Sequence, residues 1–139
     1  MRAYGIYQNI RDSAWKCLID NRIDSLPVNI LQIAQAANVH VIKNSVVDIL
    51  FPGENGRSYY DGNYWYIIYD DRNPLELSRF TIAHELGHYF LGHELKYVQF
   101  AHTQEVAQKP ISEEQADRFA IRLLCPACVL WGLDLHTPE

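Results

Sequence analysis

Apolar residues recur along the chain in two rhythms. From about Asn9 to Ile19, the positions Ile10, Ala14, Trp15, Leu18 and Ile19 fall near helical spacing and predict a first helix. Ile30, Ile33, Ala34 and Ala37 repeat at i, i+3, i+4 and i+7, so a second helix is expected to begin near Pro27. Asn38 suits its end, because asparagine tolerates the left-handed conformation. Val39 to Ile42 is rich in β-branched residues and reads as a short strand. Val46 to Leu50 reads as another, broken by Pro52, Gly53 and Gly56. Arg57 to Tyr60 and Tyr64 to Tyr69 form an expected strand pair around the hairpin signal Asp61-Gly62-Asn63.

The second half returns to the helical rhythm. Asn73, Pro74 and Glu76 have the form of an N-cap, a first-turn proline and a capping-box acid. That helix should reach about Leu91 and end at Gly92. Ser112 and Gln115 form a second capping box, opening a helix that runs to Leu124 and stops before Pro126. The polar stretch from Glu94 to Pro110 reads as a loop. The expected fold is α+β, a small twisted sheet with a hairpin packed on a helical layer. Thr137, Pro138 and Glu139 resemble the first turn of a helix, which suits a chain that continues or a frayed end equally well.

A length of 139 residues favours one domain over 1–139. An apolar fraction of 48% and a charged fraction of 21% exclude a disordered chain. The net charge is −5 and no run of lysines or arginines forms a basic stripe, which argues against generic nucleic-acid binding. The apolar run Tyr64 to Tyr69 is far short of the ~20 residues that span a bilayer. The N-terminus lacks the apolar centre of a secretory signal. Three cysteines, an odd number, make no disulfide framework. The expected setting is the cytoplasm, with no membrane partner.

His84-Glu85-Leu86-Gly87-His88 fits the H-E-x-x-H pattern. Residues four apart on a helix share a face, with Cβ atoms about 5–6 Å apart. Two imidazoles can therefore converge on one metal ion. Glu85 lies about 100° round the helix, where it can act as a base toward a water molecule rather than as a ligand. Leu77, Phe80, Ile82, Ala83, Leu86, Phe90 and Leu91 make this helix apolar nearly all round, so it belongs in an interior. Exposed histidines on a surface helix are the competing explanation, and that apolarity disfavours it.

A zinc hydrolase needs a third protein ligand and one open position. His93 and Glu94 are out of register for the longer metzincin pattern, since Leu91 stands at its glycine position. His102 sits in a patternless polar stretch. Glu113 and Glu114 remain, and Glu113 is preferred because Asp117 lies one turn further on the same face. There Asp117 can orient a metal-binding imidazole. Ala116 and Ala120 flank this face and allow close helix approach. Glu113 and Glu114 could otherwise simply favour a helix N-terminus through its dipole.

The stretch from Arg79 to His88 and the stretch from Glu113 to Pro126 together resemble the ImmA/IrrE family of metallopeptidases. The second carries Glu113, Ala116-Asp117, Phe119-Ala120, Leu123-Leu124 and Pro126. The firm resemblance covers roughly the second half of the chain. Cys125 departs from it, where the family more often has methionine. The resemblance implies a minimal gluzincin: His84, His88 and Glu113 as zinc ligands, Glu85 as the base and Asp117 behind a ligand. It also implies a protein substrate, a helix-turn-helix repressor of a phage or mobile element.

Manganese or another divalent ion also suits a His-His-Glu set. His93, just past the helix, is a candidate donor to the transition-state oxyanion, and equally a helix-end histidine. The Tyr64 to Tyr69 strand reads either as a sheet edge that pairs with peptide substrate or as core packing. Cys125-Pro126-Ala127-Cys128 is a lone C-x-x-C and reads as ordinary thiols. His40 and His136 carry no role. The rival function is a non-catalytic module whose metal is structural and whose surface binds a partner. Glu85 disfavours it, since a structural site has no use for a base.

Overall fold

The computed structural model describes residues 3–93 and 111–125, with side chains described from residue 9 in the first segment and 112 in the second. Helix α1 spans Ala3–Asp20 and α2 spans Ile30–Ala36; strand β1 is Val39–Lys43 and the short helix α3 is Asn44–Val47. Strands β2, Gly56–Tyr60, and β3, Trp65–Tyr69, precede helices α4, Leu75–Phe90, and α5, Ile111–Leu124. The three strands form a mixed sheet in the order β1-β3-β2, with β1 parallel and β2 antiparallel to β3. The sheet packs on helices, which is the α+β arrangement expected. Residues 94–110 and 126–139 lie outside the described residues, and with them the expected loop, His102, His136, Cys128 and the terminal turn; Cys125 is described and is an exposed free thiol.

Helix α4 occupies the middle of the molecule. It meets β2 and β3 on one side and α5 on another, and α1 packs on α5. The core therefore runs from Ile67 on β3 through Ile82, Ala83 and Leu86 on α4 to Phe119, Ala120 and Leu123 on α5. It continues into Ile10, Ala14, Cys17 and Leu18 on α1. Spacing of i, i+4, i+7 and i+8 places those α1 residues on one stripe. Cys17 belongs to it, while Ile19, expected there, is exposed. Burial pushes the Cys17 thiol up to about 12. Among the described residues, no helix is long and apolar enough to cross a membrane.

Several boundaries differ from those expected, each for a local reason. Helix α2 starts at Ile30 rather than near Pro27, because Asn29 is the cap and its side chain accepts a hydrogen bond from the Gln32 amide. Val46 to Leu50 is not a strand. Asn44 Oδ1 accepts from the amides of Ile49 and Leu50, and Ser45 bonds Asp71, so the segment coils on itself. Helix α4 is capped by Pro74, one residue later than expected. Asn73 donates instead to Asn55 Oδ1, and no capping box forms. Helix α5 already includes Ile111, so Ser112 lies inside its first turn and is not its cap.

The hairpin forms where expected. Asp61 Oδ1 accepts from the amides of Asn63 and Tyr64, both at 2.8 Å, and Gly62 takes a φ of 98°. Those amide bonds, Tyr64's first, hold the Asp61 carboxyl below its usual range. The Tyr64 to Tyr69 strand is the central one, so it cannot be the sheet edge. Alternation instead sends Ile67 into the core between β3 and α4. The strand that borders the sheet beside α4 is β2.

Candidate metal centre

Two close approaches bring the site together. On the α5 side, a Cβ placed on Gly87 would stand 3.1 Å from Ala116 Cα and 3.2 Å from both Ala116 O and Phe119 Cβ. Glycine at this position, facing the small Ala116, lets the two backbones meet, and Ala120 is wholly buried nearby. On the sheet side, a Cβ on Gly56 would fall 2.9 Å from the Ile68 carbonyl oxygen and onto the Thr81 methyl. Glycine there seats β2 against α4.

Helix packing delivers Glu113 and Asp117 to the two histidines. His84 Nε2 lies 2.9 Å from Glu113 Oε1, His88 Nε2 lies 3.2 Å from Glu113 Oε2, and the two Nε2 atoms are 3.2 Å apart. His84 Nδ1 is 2.7 Å from Asp117 Oδ1. An ionised carboxylate only accepts, so Nδ1 donates to Asp117, while Nε2 faces Glu113 and the other imidazole, where a bound cation would take its lone pair. Donors about 2.0–2.1 Å from a tetrahedral zinc ion stand roughly 3.3–3.4 Å apart. The triangle of His84, His88 and Glu113 is within a few tenths of an ångström of that size. Two imidazoles and one carboxylate also match the donor chemistry of zinc. The residues present therefore fit a divalent cation.

Glu85 sits beside this triangle. Ligand atoms of His84, Glu85 and His88 all lie within 4.8 Å of one another. Its carboxylate faces the sheet, where Ser58 Oγ donates to Glu85 Oε1 at 2.5 Å. Burial raises Glu85 above the ordinary carboxylate range; His88, His84 and the Ser58 hydroxyl oppose this without cancelling it. Hydrogen bonds from His84 and then His88 hold Glu113 well below that range. Burial resists protonation of His84, but the Glu113 hydrogen bond and the surrounding carboxylates outweigh it, so His84 is raised.

His93 lies behind His88 rather than in the triangle. Its Nδ1 is 2.9 Å from His88 Nδ1 and its Nε2 is 2.9 Å from Gln115 Oε1, so both ring nitrogens are engaged within the protein. Burial lowers its pKa from the usual histidine value, against the raising effect of the hydrogen bond it donates to Gln115 Oε1. Glu114 is exposed and pairs with Arg118. His40 lies on the sheet, stacked on Tyr66.

Sequence reasoning did not single out Ser58, Gln115, Gly56 or Gly87 as parts of the site. Ser58 had one visible mark, a small polar residue between Arg57 and Tyr59 in an aromatic strand. Gln115 was absorbed into a capping box that does not form. Residues 34–132 match the Peptidase M78 family, described as the IrrE N-terminal-like domain. No curated protein matches the chain.

Proposed function

The chain belongs to the IrrE N-terminal-like family of metallopeptidases, and we propose that it is a zinc-dependent endopeptidase whose substrate is a protein, a helix-turn-helix repressor of a phage or mobile element. One observation carries the reading. A cation-sized triangle of His84, His88 and Glu113 stands next to a buried carboxylate, Glu85, that is held by a separate element. A purely structural cation would be closed by four protein ligands and would need no such base.

Zinc held by His84, His88 and Glu113 would supply Lewis-acid polarisation of the scissile carbonyl and a nucleophilic water near neutral pH. Glu85 takes the proton from that water and later delivers it to the leaving amine. Its raised pKa suits both duties, since the group must hold the proton briefly and give it up again. Ser58 fixes one carboxylate oxygen and leaves the other to serve as base. Asp117 keeps His84 in the tautomer that ligates through Nε2. Among the described residues β2 pairs only with β3, so its outer side can take an extended peptide as a further strand. A cytoplasmic setting agrees with an intracellular repressor as substrate.

The test is Glu85→Gln, which keeps size and removes the base. The variant should fold and retain zinc while cleavage of the repressor falls roughly 10²–10⁴-fold. Cleavage is read on a gel and metal content by mass spectrometry. Undiminished cleavage by the variant would show that Glu85 is not the base.

A further inference from the structure

Helix α4 ends in a turn that folds the chain back onto one of its own histidines. Gly92 takes a φ of 75°, its amide donates to the Tyr89 carbonyl, and the His93 amide donates to the His88 carbonyl at 2.9 Å. This is the paired-bond termination that left-handed glycine permits. A Cβ at Gly92 would meet nothing within 4 Å, so glycine is required there for conformation and not for space. The turn brings the His93 ring beside His88, with ring centroids 5.1 Å apart. From the next helix, Gln115 closes the other end of the His93 ring.

The protons along this chain of contacts are determined once one end is set. A cation on His88 Nε2 takes the lone pair there, so the neutral ring carries its proton on Nδ1. That proton points at His93 Nδ1, 2.9 Å away, which must accept. His93 then holds its own proton on Nε2 and donates it to Gln115 Oε1. Reversing the order would put a proton on His88 Nε2 and remove it as a ligand. We infer that His93 and Gln115 form an uncharged relay that holds His88 in its ligating tautomer and ring angle, the counterpart of Asp117 on His84. This rests on the metal-centre reading above. His93 is thereby a positioning residue that acts through His88. The two ligands differ as a result: His84 is backed by an anion and His88 by a neutral amide.

The experiment measures affinity for Zn²⁺ alone, by competition with a chelator, and the absorption spectrum of the Co²⁺-loaded protein. The variants are His93→Leu, His93→Asn, Gln115→Met and the double variant His93→Leu/Gln115→Met. His93→Leu should weaken zinc binding roughly 10–100-fold, the usual range for loss of a group behind a ligand. His93→Asn places an amide oxygen about where Nδ1 stood and should restore most of the affinity and the parental cobalt spectrum. A role in packing alone would favour leucine over asparagine. Gln115→Met should weaken binding less than His93→Leu. The double variant should bind no more weakly than His93→Leu, because Gln115 acts only through His93.

Parental affinity in His93→Leu overturns the relay, as does His93→Asn binding as weakly as His93→Leu. So does a double variant whose loss is the product of the two single losses. Should His93→Leu fail to fold in the metal-free state, Gln115→Met decides, and parental affinity there overturns the relay. A parent protein that takes up neither ion removes the metal centre and the relay with it. A parent that binds while every variant matches it removes the relay alone.

Discussion

On its α5 side helix α4 sets Gly87 against Ala116, and on its sheet side it sets Glu85 against Ser58. The first contact is backbone against backbone, and it positions the proposed ligand set. The second is one hydrogen bond from a neighbouring strand, and it positions the proposed base. Both lie on a single helix turn of sequence, yet they depend on different neighbours. Metal holding and water activation should therefore be separable by mutation. Variants on the α5 side should lose metal and cleavage together, while variants on the sheet side should lose cleavage and keep metal.

The largest effect on this division should come from Gly87→Val. A branched side chain would press on Ala116 and Phe119, and overpacking of this kind costs up to about 3 kcal/mol. The expected outcome is a lowered unfolding midpoint together with weakened zinc binding. An unchanged midpoint with parental affinity would break the claim that close helix approach builds the ligand set.

Asp117→Asn is the subtler probe of the same side. It keeps the shape and removes the anion behind His84, and zinc affinity should fall roughly 10–100-fold with little change in stability. Chelator competition reads it directly. Comparison with His93→Leu sharpens the contrast between the anionic and the neutral support.

Ser58→Ala should have the smallest effect and the most selective one. A hydrogen bond to a charged group is worth about 1.5–3 kcal/mol, so cleavage should fall at least about tenfold while zinc affinity stays parental. Loss of zinc in this variant would show that the two sides of α4 are not independent.

The legible parts of the molecule were those written in local spacing. The histidine pair with Glu85 between them, the helix end at Gly92 and the hairpin at Asp61 each depend on residues within a few positions of one another. The α2 start, the α4 cap and the Val46 to Leu50 segment were misread because their hydrogen bonds have competing partners. Asn73 could cap a helix or bond Asn55, and propensity does not choose between them. The central place of β3 was hidden for a related reason, since an aromatic strand looks alike at an edge and at a centre.

The sequence by itself determined that a helix with apolar surface nearly all round carries two histidines on one face with a glutamate between them, and that a carboxylate pair, Glu113 and Asp117, rides one face of a later helix. Covalent spacing and helical periodicity suffice for that. Only the tertiary structure decided that Glu113 meets both histidines while Asp117 takes the outer nitrogen of His84. It alone placed Ser58, 27 positions upstream, on Glu85, and brought Gln115 of α5 to His93. These pairings follow from how closely two backbones can approach. That distance is set by Gly56, Gly87 and Ala116 acting across elements, and no local pattern in the chain expresses it.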